Sequence, residues 1–116
     1  MRKELENRLI KMSAAINLLT LNLKKGILNK TLGNQMIRSS SSAALNYGEA
    51  QSAESKKDFI HKIKIVLKEL RETFIGLKII KRSNTFDDTN LVNKVIQENN
   101  ELISIFEKPG EQPRKT

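Results

Sequence analysis

Lys57, His61, Lys64, Lys68, Arg71, Lys78 and Arg82 recur at steps of four, three, four, three, seven and four. At about 100° per residue of an α-helix, that spacing gathers all seven within an arc of about 100°. Such an array neutralises the phosphates of a nucleic-acid backbone without reading bases. Asp58, Glu69 and Glu72 fall further round the same turns, so the two signs are segregated and the positive potential is concentrated. The competing reading is an ordinary solvated helix face. A second basic element, Lys24-Lys25, lies in what reads as a loop and would extend the stripe.

Catalytic chemistry finds little footing. His61 is the single histidine, and Asp58-x-x-His61 has the i, i+3 spacing of carboxylate di-metal bundles. Those sites need the motif twice and two further glutamates, so a solvated or partner-facing histidine is the expectation, with no metal and no cofactor. The glycines at 26, 33, 48, 76 and 110 form no phosphate-cradling loop. Zero cysteines remove thiol nucleophiles, thiolate metal sites and disulfides. Serines are many, but spacing gives none of them a base and an orienting partner. The chain reads as a non-enzyme.

Apolar periodicity supplies the elements that would position the basic stripe. Leu5, Leu9, Met12, Ile16, Leu19 and Leu23 alternate steps of four and three, one face of a helix of roughly 20 residues, about 30 Å long. Gly26, just beyond Lys24-Lys25, reads as its left-handed cap. Ile60, Ile63, Leu67, Leu70, Phe74 and Leu77 keep the same rhythm, and Ser55 stands three residues before Asp58 as a carboxylate capping box. Past the turn at Ser83-Asn84, Asp87, Asp88 or Thr89 can cap a last helix with Val92, Val95, Leu102 and Phe106 inward and Asn99 on the same stripe.

The stretch RSSSSAALNYGEAQSAESKKDF, residues 38–59, could pass for a linker. Leu32, Met36, Ala43, Tyr47 and Ala50 nevertheless continue through it at helical spacing, and its small side chains would let a neighbouring backbone approach closely. Helices are therefore expected near residues 3–24, 30–52, 56–82 and 88–107. They would form an all-α, antiparallel up-down four-helix bundle over residues 1–107. The tail KPGEQPRKT, residues 108–116, has two prolines, a glycine and no apolar residue, and reads as disordered.

Asn46 and Glu49 share a second stripe with Ser42 and Ala53 and are expected to be partly buried polar anchors toward Arg38, Lys62 or a neighbouring subunit. Removing one partner of such a buried pair would cost about 3 to 5 kcal/mol. Ile65, Ile75 and Ile79 lie outside the core arc of the third helix, as do Ile10, Leu18 and Leu21 on the first. A monomer would expose them as an apolar patch, so self-association is expected.

The block from Arg38 to Thr73, RSSSSAALNYGEAQSAESKKDFIHKIKIVLKELRET, resembles the signature of the small four-helix-bundle proteins encoded by intervening sequences within bacterial 23S ribosomal RNA genes. The matching residues are Arg38-Ser39, Ser42, Asn46-Tyr47, Glu49-Ala50, Ala53-Glu54-Ser55, Asp58-Phe59, Lys62, Lys68-Glu69 and Glu72. The resemblance implies an up-down bundle, a ring-shaped homo-oligomer of five subunits and no catalytic activity. A looser, architectural likeness to the accessory variability proteins of diversity-generating retroelements implies contact with nucleic acid by analogy alone.

Composition agrees with this frame. With 116 residues and 38% hydrophobic side chains the chain can bury one modest core. A net charge of +8 and an isoelectric point near 9.9 favour a polyanionic partner, RNA or DNA. Aromatic content of 4% without Trp argues for phosphate contact over base stacking. The basic start mixed with acids, MRKELENRLI, and the lack of a long apolar run point to a cytoplasmic protein with no membrane partner. The competing function classes are a structural or protein-scaffolding oligomer and a metal-dependent bundle enzyme.

Overall fold

The computed structural model describes residues 1–114. Four helices run through it: α1 Arg2–Leu21, α2 Ile27–Ala50, α3 Lys56–Ser83 and α4 Thr89–Phe106. Each packs against its neighbour in sequence, and α1 meets α4 to close the square. Connections this short force successive helices antiparallel, so the chain is an up-down four-helix bundle, all-α as the periodicity implies. The serines do not fray α2. Ser39 and Ser40 are fully buried within it: Ser39 faces Thr73 on α3, across the most extensive interface of the bundle, and Ser40 faces Ser13 on α1.

Local chemistry sets the helix ends. Ser55 accepts the Asp58 N–H at 3.1 Å and Asp88 accepts the Leu91 N–H at 3.0 Å, so both expected N-caps form. The left-handed cap assigned to Gly26 is corrected. The first helix stops at Leu21, where the Asn22 side chain donates to the Leu18 carbonyl and Thr20 to that of Asn17. Gly26 instead precedes α2 in extended backbone, at φ 165°, and its carbonyl accepts the Lys30 N–H. The left-handed residue is Asn84, which ends α3.

The tail also departs from expectation. Pro109–Glu111 form a 3-10 turn against α3, and the Gln112 amide donates to the carbonyls of Ile105 (2.6 Å) and Lys108 (3.2 Å). The glutamine side chain thus serves the Ile105 carbonyl in the last turn of α4, where helical partners run out. Residues 115 and 116 of the expected disordered segment lie outside the described residues.

Two apolar clusters fill the bundle. Leu9, Tyr47, Phe59, Ile63, Leu70 and Phe106 anchor one, with Tyr47 and Phe106 edge to face at 5.5 Å. Ile16, Leu19, Met36, Leu77, Ile80 and Val95 anchor the other. The buried face of α3 is rotated from its expected stripe. Phe59, Val66 and Ile80 are buried together with Glu69, Thr73 and Gly76, while Ile60 and Phe74 are half-buried. The rotation has a cause in packing: α3 touches both α2 and α4, and its α2 side takes small and polar residues that hydrophobicity does not mark. Thr73 and Ser39 share a hydrogen bond at 2.6 Å across that interface. At Gly76 a Cβ would lie 2.8 Å from Met36 Cγ, so only glycine admits the methionine there.

The end of the bundle carrying Lys24 and Lys25 is tied by a residue that periodicity does not single out. Asn29, buried in the first turn of α2, donates to the carbonyls of Lys24 (2.7 Å) and Thr85 (3.3 Å) and accepts from the Thr85 hydroxyl (3.0 Å). The Lys24 N–H also donates to the Thr85 carbonyl at 2.9 Å. The α1–α2 and α3–α4 loops are thereby held together.

Candidate nucleic-acid interface

Every member of the basic stripe lies on α3 and is exposed: Lys57, His61, Lys64, Lys68, Arg71, Lys78 and Arg82. The loop pairing through Thr85 places Lys24 and Lys25 at the Arg82 end of the same helix, so loop and stripe share one end of the bundle. Two cations on the stripe have local partners. Arg71 stands 3.9 Å from Glu107, with both side chains more than half exposed, a contact of little energetic weight. The Lys78 ammonium sits 4.9 Å from the centre of the Phe74 ring, which orients the side chain and leaves its charge intact.

Two of the acids bordering this face, Glu69 and Glu72, share one cation: Arg38 on α2 donates to Glu69 at 3.0 Å and to Glu72, which offsets one of their two charges. On the α1–α4 face Arg8 grips Glu98 through two hydrogen bonds, at 2.9 and 2.5 Å, with Glu101 at 3.7 Å. The Glu98 hydrogen bond holds the Arg8 guanidinium above its ordinary pKa.

Two shallow basic hollows mark the ends of the surface. Lys56, Lys57, Ile60, His61 and Lys64 line about 440 Å³ at the start of α3. Thr20, Lys24, Lys25, Gly26 and Lys30 line about 500 Å³ at the start of α2. Lys56 and Lys30 are additions to the basic set, each adjoining a cation that the spacing does mark. Among the described residues no three His, Asp or Glu side chains gather as a metal site, and Asp58-x-x-His61 stands alone.

The polar network divides in two. Glu49 and Lys62 do pair, at 2.7 Å, but the Glu49 side chain is 61% exposed, which corrects its expected burial. Asn46 turns back on its own helix, donating to the Ser42 carbonyl and hydroxyl. Arg38 joins neither; its partners are Glu69, nearly fully buried, and Glu72. The physical reason is the rotation of α3, which brings Glu69 to face α2.

Among the apolar candidates, Ile75 and Ile79 are exposed and Ile65 is half-buried; Ile10, Leu18 and Leu21 on α1 are exposed. Ile75 and Ile79 border one groove and Ile10 another, on opposite sides of α2. Leu32, Met36, Ile75 and Ile79 line one of about 260 Å³ against α3. Ile10, Ala14, Ile37, Ala44 and Leu45 line one of about 440 Å³ against α1. Ile37 and Leu45 are exposed apolar residues that the stripe analysis passes over.

No described helix is long and apolar enough to cross a membrane. The fold is similar to the crystal structure of a protein of unknown function from the S23 ribosomal protein family of Bacteroides thetaiotaomicron VPI-5482. That likeness has 24% identity, a TM-score of 0.78, and coverage of 93% of this chain and 99% of the other. No curated protein matches the sequence. The family model for 23S rRNA-intervening sequence proteins matches residues 4–108, and the chain belongs to that family.

Proposed function

We propose that the protein is a non-enzymatic, cytoplasmic homo-oligomer that binds the backbone of RNA or DNA through the outward face of α3 and the Lys24-Lys25 loop. The observation that carries this reading is the run of exposed cations from Lys57 to Arg82 in a chain of net charge +8, with Glu69 and Glu72 beside it drawn to Arg38. Phosphate contacts dominate such a surface, and sequence preference is weak.

Self-association is supported by the two apolar grooves flanking α2. They differ from each other, so a contact joining the α3-side groove of one subunit to the α1-side groove of the next is head to tail, the geometry of closed rings. A five-membered ring is the form that the family resemblance implies. Each apolar side chain covered is worth roughly 1.5 to 3 kcal/mol before the costs of association.

The test is a gel-shift titration with RNA, duplex DNA and single-stranded DNA at about 50 and about 200 mM salt, on protein whose solution mass is known. Binding that weakens steeply with salt, and weakens for all sequences with Lys64→Glu/Lys68→Glu, is expected. The second reading, a scaffold for protein contacts, draws on Ile75, which interrupts the cations between Arg71 and Lys78. An intact oligomer with no salt-dependent binding at micromolar concentration establishes that reading instead.

A further inference from the structure

We infer, on the reading that α3 binds a nucleic-acid backbone, that its ligand is a double helix lying lengthwise along α3, not a single strand. The first observation is where the aromatic rings are. Proteins that hold single strands stack successive bases on exposed aromatic side chains. All five rings of this chain are withdrawn: Tyr47, Phe59 and Phe106 are buried, and Phe74 and Phe86 are half-buried. Phe74, the one beside the stripe, lies under the Lys78 ammonium. The face offers charge and no platform for a base.

The second observation is how the charge is spaced. The exposed lysines and arginines of α3 fall into three groups: Lys56-Lys57, then Lys64, Lys68 and Arg71, then Lys78, Lys81 and Arg82. At about 1.5 Å rise per residue, the group centres follow one another at about 17 Å and about 19 Å. No exposed lysine or arginine falls in the intervals, residues 58–63 and 72–77. A B-form duplex turns once in about 34–36 Å, and its two strands each cross a line parallel to the axis once per turn, an average interval of about 17–18 Å. The three cation groups therefore meet three successive backbone crossings, with the intervals over the grooves. The 28 residues of α3 make a rod of about 42 Å, long enough for one full turn. A single strand has no such period, and for it the intervals would be wasted length.

Fluorescence anisotropy on the full chain decides the matter. The probes are a duplex DNA of about 24 base pairs, a duplex RNA of the same sequence, and the separate strands without self-complementarity, at equal phosphate concentration and about 50 mM salt. At least one duplex should bind about tenfold more tightly than its own strands, and trimming it to about 8 base pairs, less than one turn, should lose about tenfold. Lys78→Ala/Lys81→Ala/Arg82→Ala, which removes the third group from a solvated surface, should shrink the advantage of the long duplex over the short one. Strands that bind as tightly as both duplexes, still weakened by Lys64→Glu/Lys68→Glu, overturn the double-helix inference and leave backbone binding standing. No binding to any probe overturns both.

Discussion

Replacing Arg38 by Met strips Glu69 of its cation while keeping the aliphatic packing of the side chain. Glu69 is 5% exposed and receives the Arg38 guanidinium at 3.0 Å; Glu72, on the surface, receives the other arm. Removing one partner of a fully buried ion pair costs about 3 to 5 kcal/mol because the remaining charge is stranded. Here the Arg38 side chain is 56% exposed, so solvent screens part of the interaction and the expected loss falls to roughly 1.5 to 3 kcal/mol. For a domain of this size about 4 °C accompanies each kcal/mol, giving a fall in Tm of roughly 6 to 12 °C. Thermal melts followed by circular dichroism must be compared at one protein concentration, because association raises Tm by mass action. Adding Glu69→Leu should recover part of the loss, since the stranded carboxylate is then gone. Glu49→Ala, at the exposed pair with Lys62, should cost under about 1 kcal/mol. An Arg38→Met protein that melts like the parent, or a double variant less stable than the sum of the single ones, would refute the reasoning.

Asn99 is wholly buried, its amide donates only to the Met12 sulfur at 3.4 Å, and its Oδ1 has no protein partner. Asn99→Leu should therefore stabilise the bundle by about 1 to 2 kcal/mol, and a lower Tm would contradict that. Burial pushes the Tyr47 phenol from 10.0 up to about 12. The unfolded chain thus releases this proton first, so stability is full below pH 10 and falls by about 2 to 3 kcal/mol as pH rises toward 12. In denaturant titrations across that window Tyr47→Phe should show a shallower decline; parallel profiles would count against the assignment. Ile79→Glu should dissociate the proposed assembly without unfolding the subunit, because Ile79 is 40% exposed at the mouth of the α2–α3 groove. Sedimentation that reports the same mass for variant and parent would exclude this face as the contact.

Single-helix regularities were legible without coordinates. Leu5, Leu9, Met12, Ile16 and Leu19 are buried as their three-four spacing requires, and Ser55 and Asp88 cap as their positions suggest. The basic face of α3 is likewise a property of one helix: angular position follows from residue number, and lysine and arginine stems are long enough to hold their charge in water. The serine-rich stretch was readable as helix because the apolar residues on either side kept the period.

What the sequence did not disclose depends on residues far apart along the chain. Arg38 meets Glu69 and Glu72 across 31 and 34 positions, and Asn29 meets Thr85 across 56, so local spacing cannot select those partners. Charge alone leaves Arg38 equally free to choose Glu49. The buried arc of α3 was misplaced because contact with α2 takes in Glu69, Thr73 and Gly76, whose burial comes from hydrogen bonding and from room for Met36, not from hydrophobicity. The tail lacks the apolar residues that mark order in a sequence, yet the Ile105 carbonyl in the last turn of α4 needs a donor and Gln112 supplies it. Periodicity encodes which way a side chain points on its own helix. Only packing decides which neighbour it faces, and that choice separates a buried carboxylate at Glu69 from a solvated one at Glu49.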